Sequence, residues 1–388
     1  MFLMDYWVKM RFLESQVNQP SLKSKFSLPM LSFWEQKNFL HYDLIVVGAG
    51  FTGLSAAIHF KKKHKKAKVL VVDRGVFPSG ASTKNAGFAC IGSPTELIAD
   101  SKNESVTELI ERIKWRWHGL NLLRETIGDS NLDFENCGGF ELYNSEKDRQ
   151  ESLDRLNEIN SWMFEATGET DVFKSTVVNN YPSIVSRLEG SVHTGKMMQS
   201  WVRLNQEVGN FIWFNTEVSA LEEGAVYLKN GYKLNTKTIL VATNGFASTL
   251  LPVTVKPARG VVFVTQPIPN LPWKGVFHYD EGFVYFRNIG NRLLFGGGRN
   301  KSINDEETTE FGINPIIQNY LFSLSENLLG INLKEQVEFS WTGIMGFSET
   351  KSPILKEIKP GIHVRVGLGG MGVAIGSEIG HAFAAKFG

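Results

Sequence analysis

The sequence predicts an α/β protein in which a unit built on a parallel sheet is joined to a mainly antiparallel β unit. Three observations carry this. Two short apolar, β-branched runs, at residues 44 to 47 and 69 to 72, bracket a glycine turn and a helical stretch, the order expected of parallel strands buried on both faces. Aromatic and β-branched segments alternate with turn residues between Gly260 and Gly298, which reads as antiparallel. The last residues return to a strand, His363 to Gly367, then a glycine turn and a helix from about Ser377 to Phe387.

At 388 residues the chain exceeds what one hydrophobic core usually supports, so two units are expected. With 42% hydrophobic and 21% charged residues it has a globular composition, and a net charge of +1 argues against a nucleic-acid surface, which needs a concentrated basic field. Only two cysteines occur, Cys90 and Cys137, too far apart for a metal knuckle or redox pair, and the eight histidines are scattered. No metal site is therefore expected, and a reducing cytoplasm fits. No stretch approaches the roughly 18 apolar residues of a membrane span. Residues 1 to 37 read as an N-terminal extension, because Asp5, Lys9, Arg11 and Glu14 interrupt every apolar stretch and leave no secretory signal.

Taken in order, the first strand runs into Gly48-Ala49-Gly50-Phe51-Thr52-Gly53, and a helix follows through Leu54, Ala56, Ala57 and Phe60. The basic run Lys61 to Lys68 is a solvated helix end, where cations complement the macrodipole. The second strand ends in Asp73, twenty positions after Gly53. In this setting the glycine trio is a Rossmann-like dinucleotide site. Gly48 permits the tight turn, Gly50 lets the backbone approach a pyrophosphate, Gly53 lets the helix pack on the strand, and Asp73 accepts hydrogen bonds from a ribose. Helical spacing fills 94 to about 127. A strand is expected from Gly138 to Tyr143, a charged helix from about Ser145 to Trp162, and short β segments from 211 to 242.

The glycine trio alone does not distinguish NAD from FAD. Three further segments follow it: Gly80-Ala81-Ser82-Thr83-Lys84-Asn85-Ala86-Gly87-Phe88, Ala242-Thr243-Asn244-Gly245 and Gly367-Leu368-Gly369-Gly370-Met371-Gly372-Val373. Their order resembles the D-amino-acid oxidase superfamily of flavoproteins, and within it the glycine oxidase, sarcosine oxidase and D-amino-acid dehydrogenase branch. The resemblance runs from about Phe39 to the C-terminus. It implies an FAD-binding domain at 38–132, 186–256 and 342–388, and a mainly antiparallel substrate domain at 133–185 and 257–341.

The resemblance also implies roles at matching positions. Phe51 and Thr52 would lie along the pyrophosphate, Asp73 and Arg74 at the adenosine, Ala81 and Ser82 near the phosphates, and the Val218 backbone at the adenine. Ala86, Gly87 and Phe88 would run beside the isoalloxazine, with Asn85 and Gly245 also among the cofactor-binding residues. Leu368, Gly369, Gly370, Met371, Gly372 and Val373 would hold the flavin's pyrimidine edge. A glycine-rich turn before a helix is itself an anion site, and reduced flavin is anionic there.

Departures from the family are informative. Where its amino-acid oxidases place arginines for the substrate carboxylate, this chain has Met345 and Gly370. A conventional carboxylate clamp is therefore not expected, although Arg287 or Arg259 would substitute if either is not structural. The oxygen-activating lysine of sarcosine oxidases is matched by Leu294, and no cysteine after Cys137 is available to link flavin, so FAD is expected to be non-covalent. The electron acceptor, O2 or another carrier, and the oligomeric state stay open.

Phe283 and Tyr285 alternate on one strand face and either wall the pocket or pack the core; with Phe88, Arg287 and Met345 they are the substrate-pocket candidates. Asp280 and Glu281 read as a hairpin tip that would also suit a cationic amine, and Cys90 as structural. No general base is named, because hydride transfer is the cofactor's chemistry. The expected function is oxidation of a small primary or secondary amine to an imine, in the manner of gamma-glutamylputrescine oxidases. D-amino-acid or glycine oxidase or dehydrogenase activity is the alternative, and a non-catalytic flavin-binding assembly protein is a reading of another class.

Overall fold

Apolar side chains on both faces push the run His41–Val47 into the interior, where it becomes the middle of a parallel sheet. Structure is described for residues 30–387 of the computed structural model, so most of the expected N-terminal extension lies outside the described residues. His41–Val47 pairs in parallel with Val69–Val72 on one side and Lys233–Val241 on the other. Phe211–Trp213 and Ile362–Val366 continue the parallel order outwards. Ile354–Lys359 and the hairpin Val218–Glu222 with Ala225–Leu228 add antiparallel edges, giving eight strands.

The helix Gly372–Ala385 packs against two others, Phe51–Lys63 and Val106–Ile127. They approach closely because small residues line the contact. A Cβ added at Gly380 would sit 2.6 Å from the Ser55 Cβ and from the Thr52 carbonyl oxygen, and one at Gly119 would sit 2.1 Å from the Ala374 carbonyl oxygen. This stripe explains why the last helix starts at Gly372 and not near Ser377. Gly372, Gly376 and Gly380 lower its apparent helical propensity, yet tertiary packing requires them. Gly380→Val is expected to lower stability by about 1–3 kcal/mol through overpacking. A thermal melt at fixed FAD concentration checks this, and an unchanged midpoint would mean that the helices are seated differently.

The second sheet also has eight strands, all antiparallel except for Val276–Tyr279 alongside Gly139–Leu142. The expected fold, Rossmann-like α/β plus mainly antiparallel β, is thus observed. The expected domain limit at 341/342 falls inside the strand Val337–Phe347, which pairing from Lys256/Phe347 to Thr265/Val337, with one register shift between Val264 and Thr265, ties to the second sheet. Two helical stretches are split. Ser105 and Glu108 form a capping box that opens a new helix after Pro94–Ser101, and the charged stretch becomes Glu146–Asp154 and Leu156–Thr167. The helices Thr194–Glu207 and Pro315–Leu329 were not legible in advance.

Candidate active site

A cavity of about 1550 Å3 runs between the two sheets. That exceeds the roughly 300–1,000 Å3 of a typical single-ligand pocket, leaving room for an extended cofactor and a second small molecule. Gly48, Gly50, Phe51 and Thr52 form part of its wall, where the helix Phe51–Lys63 presents its N-terminus. Gly50 leaves little room for a side chain, since its Cβ would lie 2.9 Å from Ser82 Oγ, which would have to turn away from the hydrogen bond that it accepts from the Phe51 N–H at 3.1 Å. Thr52 Oγ1 is buried and has no partner among the described residues. Gly53 stays outside the wall: its Cβ would meet the Gly48 carbonyl at 2.1 Å, so its role is to let helix and strand touch.

Asp73 joins the wall at the end of the second strand, but its carboxylate is already at work on the chain. One oxygen accepts from the Ala49 N–H at 2.9 Å and the other from the Gly75 N–H at 2.8 Å. It therefore fixes the glycine turn, and the lone pairs left over remain available to hydroxyls. Arg74 lies beside it, with its guanidinium 4.1 Å from the Phe246 ring centroid. Val218 borders the same end, because Thr216 N–H donates to the Asp73 carbonyl and brings its segment alongside.

Ala81, Ser82, Asn85, Ala86 and Phe88 continue the wall. Asn85 pins this stretch: its amide donates to the Ala81 and Ser82 carbonyls, and its oxygen accepts from the Gly87 N–H and the Thr194 hydroxyl. Gly87 and Gly245 stand behind the wall, where a Cβ would lie 2.4 Å from the Val192 and Met345 carbonyls respectively. From the other side come Leu368, Gly369, Gly370, Met371, Gly372 and Val373, with open space at Gly370. The Gly367 N–H donates to the Asn244 side chain at 2.9 Å, which locks this turn to the Thr243–Gly245 segment. A glycine whose Cβ would crowd the Ser82 hydroxyl, an orphaned buried hydroxyl and two helix N-termini facing one cavity suit a dinucleotide with an anionic ring system.

Phe283, Tyr285 and Met345 line the remainder, beyond Phe88. Phe88 meets Tyr285 edge to face at 5.6 Å, and burial pushes the Tyr285 phenol up to about 12, so it stays protonated. Arg287 is the one substrate-pocket candidate that lies off the cavity. It is buried behind Gly87, donates to the Val192 carbonyl at 3.1 Å, and thereby supports the Ala86–Phe88 segment. Arg259 is likewise committed, through a two-pronged pair with Glu306 at 2.9 and 2.8 Å. Asp280 and Glu281 form the expected turn, both with positive φ, and Glu281 also borders the cavity. Cys90 borders it too, but burial, with Glu189 and Glu96 nearby, pushes its thiol well up, so it is no nucleophile.

Of the wall residues that escaped the sequence reading, two stand at the substrate end with chemistry to offer. Arg299 follows the strand Arg292–Gly297, whose last glycine has φ 105° and would put a Cβ 2.0 Å from the Phe283 carbonyl. That turn swings Arg299 to the cavity, where its guanidinium sits 4.7 Å from the Phe347 ring centroid and 6.0 Å from that of Phe283. Its side chain makes no hydrogen bond or ion pair with the described residues; of the two acids whose charge reaches it, Glu306 is taken by Arg259 and Glu307 lies 4.0 Å from Lys256. Burial lowers its pKa from the usual arginine range, but a guanidinium remains charged. Arg365 also borders the cavity, yet it is held by the Lys356 and Val364 carbonyls. The second unread residue is His278, paired with Glu189.

The profile of the DAO family, described as FAD dependent oxidoreductase, matches residues 43–386. The chain is 23% identical over 364 residues to a probable oxidoreductase, OrdL, of Rhizobium meliloti (strain 1021), covering 88% of this chain and 82% of that protein. Among solved structures it resembles an L-proline dehydrogenase from P. horikoshii with a TM-score of 0.72 at 14% identity, over 89% of this chain and 92% of that one. It also resembles a glycine oxidase from Geobacillus kaustophilus, with a TM-score of 0.70 at 18% identity over 88% and 93%. No helix among the described residues is long and apolar enough to cross a membrane.

Proposed function

We propose, from the premise that the chain belongs to the DAO family of FAD-dependent oxidoreductases, that it oxidises the C–N bond of a small primary or secondary amine that carries a carboxylate. The proteins it resembles are named for glycine and for L-proline, both of which carry one. The single observation that favours the carboxylate is Arg299, a cation in the substrate end of the cavity with no ion-pair partner among the described residues. Met345 and Gly370 leave the family's usual positions without a cation, and Arg299 replaces them from the end of the strand Arg292–Gly297, two strands away from Met345 in the same sheet.

When bound, the flavin supplies the acceptor for the hydride that leaves the carbon next to nitrogen. The chain does the rest. Phe88, Phe283, Tyr285 and Met345 form an apolar wall that excludes water, while Arg299 orients the substrate by its far end so that one C–H faces the ring. The imine formed hydrolyses to a carbonyl compound and an amine or ammonia. The test is product analysis: incubation with glycine, N-methylglycine or L-proline is expected to yield the matching carbonyl product. Product from the decarboxylated amines alone would overturn the role of Arg299.

The cofactor is expected to be released as free FAD by acid or heat, since Cys90 and Cys137 are the only cysteines and neither thiol is activated. Flavin that co-migrates with denatured protein would contradict this.

A further inference from the structure

His278 stands on the strand Val276–Tyr279 and borders the substrate end of the cavity. Its Nε2 lies 2.8 Å from Glu189 Oε2, and the two side chains are 12% and 1% exposed. Glu189 Oε1 has no partner among the described residues, so the imidazole is the group that offsets the carboxylate's lost hydration. The arrangement leaves a mark on the neighbouring strand. A Cβ on Gly139 would lie 2.0 Å from Glu189 Oε2, so the strand is bare where the carboxylate reaches across it to the ring.

Glu141 provides the contrast. It sits beside His278 in the sheet register and is equally buried, but it accepts from the Ser93 hydroxyl, the Thr95 N–H and hydroxyl, and the Tyr143 hydroxyl. It is satisfied by neutral donors, whereas Glu189 depends on an imidazole that faces the cavity. The His278 ring also meets Phe88 edge to face at 5.4 Å, which places it at the wall where the substrate's reacting end must lie.

An alkylamine titrates near pH 10, so at neutral pH it enters as an ammonium. Its nitrogen then lacks the lone pair needed to stabilise the positive charge left behind as hydride departs. We propose that His278, held by Glu189, receives the proton from the substrate ammonium, a step that rests on the C–N oxidation reading above. The substrate N–H bond breaks, the proton passes to the imidazole, and the electron pair stays on the substrate nitrogen. The adjacent carbon then gives up its hydride to the enzyme's FAD, and the product leaves as a protonated imine.

The charged and titratable groups around His278 are Glu189, Glu141, Glu96 with its partner Arg116, Tyr285 and Cys90. Burial alone would lower the imidazole's pKa, but the charge and hydrogen bond of Glu189, with Glu141 and Glu96 farther out, raise it above the ordinary value. The neutral, proton-accepting form therefore appears as pH rises through that raised value. Flavin reduction should climb over the same range and then level off.

The experiment measures anaerobic flavin reduction by N-methylglycine and by L-proline against pH, in the parent, His278→Gln and Glu189→Gln. In His278→Gln the rate at pH 7 is expected to fall by about 100-fold or more, and to keep climbing toward the amine's own range near pH 10. In Glu189→Gln, an isosteric change, the midpoint should move to lower pH. A second readout needs no turnover: the His278 resonance, identified by its loss in His278→Gln, should titrate above the ordinary imidazole value in the parent and lower in Glu189→Gln. Unchanged rates and pH dependence in both variants would overturn the proposal, as would a His278 that titrates at or below the ordinary value. If neither amine reduces the FAD-loaded parent, the C–N reading fails, and the resonance titration still judges the pair.

Discussion

Gly50→Val is expected to give a folded chain that carries little FAD. The argument is steric and local. The Gly50 Cβ would already lie 2.9 Å from Ser82 Oγ, and valine adds two methyl groups at the mouth of the helix Phe51–Lys63, where backbone N–H groups would converge on a phosphate. Asn85 holds the Ser82 backbone, so only the Ser82 hydroxyl can turn aside, at the cost of the hydrogen bond that it accepts from the Phe51 N–H. Loss of one charge-assisted contact at the phosphate is worth about 1.5–3 kcal/mol, which corresponds to roughly 10- to 100-fold weaker binding. Part of the thermal stability should go with it, since a ligand that binds only the folded state stabilises that state by mass action. The ratio of flavin to protein absorbance after gel filtration reads the first effect, and a melt with and without added FAD reads the second. Full occupancy in Gly50→Val would mean that the cofactor turn lies elsewhere.

Arg299→Met should weaken binding of carboxylate-bearing amines by about 10- to 100-fold, from the loss of a charge-assisted hydrogen bond of about 1.5–3 kcal/mol. The variant keeps an unbranched apolar stem but loses the guanidinium that lies over Phe347 and Phe283, so a thermal melt and the FAD content serve as controls for the fold. Arg299→Lys should retain part of the affinity, because an ammonium supplies the charge without the planar fork. Matched amines that lack the carboxylate should be indifferent to both changes or favour Arg299→Met. Stopped-flow flavin reduction over a range of substrate concentrations separates the apparent Kd from the limiting rate, and the effect belongs chiefly in the former. Equal losses for both substrate sets would show that Arg299 acts on structure and not on the substrate's charge.

That the glycine turn, Asp73 and the Ala81–Phe88 segment meet at one cavity was legible in the sequence because the constraints are local. Gly50 and Ser82 face each other on short segments whose residues are fixed by backbone approach, and Asp73 marks a strand end that any βαβ unit must have. The substrate half was read in part. Phe88, Phe283, Tyr285 and Met345 do line the cavity, whereas Arg287 faces the backbone of Val192. Strand alternation gives the side of a sheet but not what lies above it, so a buried arginine and a cavity arginine look alike.

Arg299 and His278 were missed for different reasons. Arg299 follows three successive glycines, Gly296 to Gly298, and that run was itself a signal: two of them have positive φ and redirect the chain to the cavity. His278 owes its setting to Glu189, eighty-nine positions away in sequence, and only the parallel pairing of Val276–Tyr279 with Gly139–Leu142 brings their surroundings together. No local pattern encodes such a contact. The helix Gly372–Ala385 is a milder case, since glycines chosen for close packing hide its first turn.

The most direct test of the central claim is an anaerobic absorbance measurement on the FAD-loaded parent, comparing each of N-methylglycine and L-proline with the same amine lacking its carboxylate, dimethylamine and pyrrolidine. The account predicts that the oxidised flavin bands bleach with the carboxylate-bearing member of each pair, at concentrations about 10-fold or more below those its partner requires. Faster bleaching by the simple amines, or an oxidised spectrum that none of the four changes, would contradict it; the latter result is what a flavin-holding protein without turnover would give.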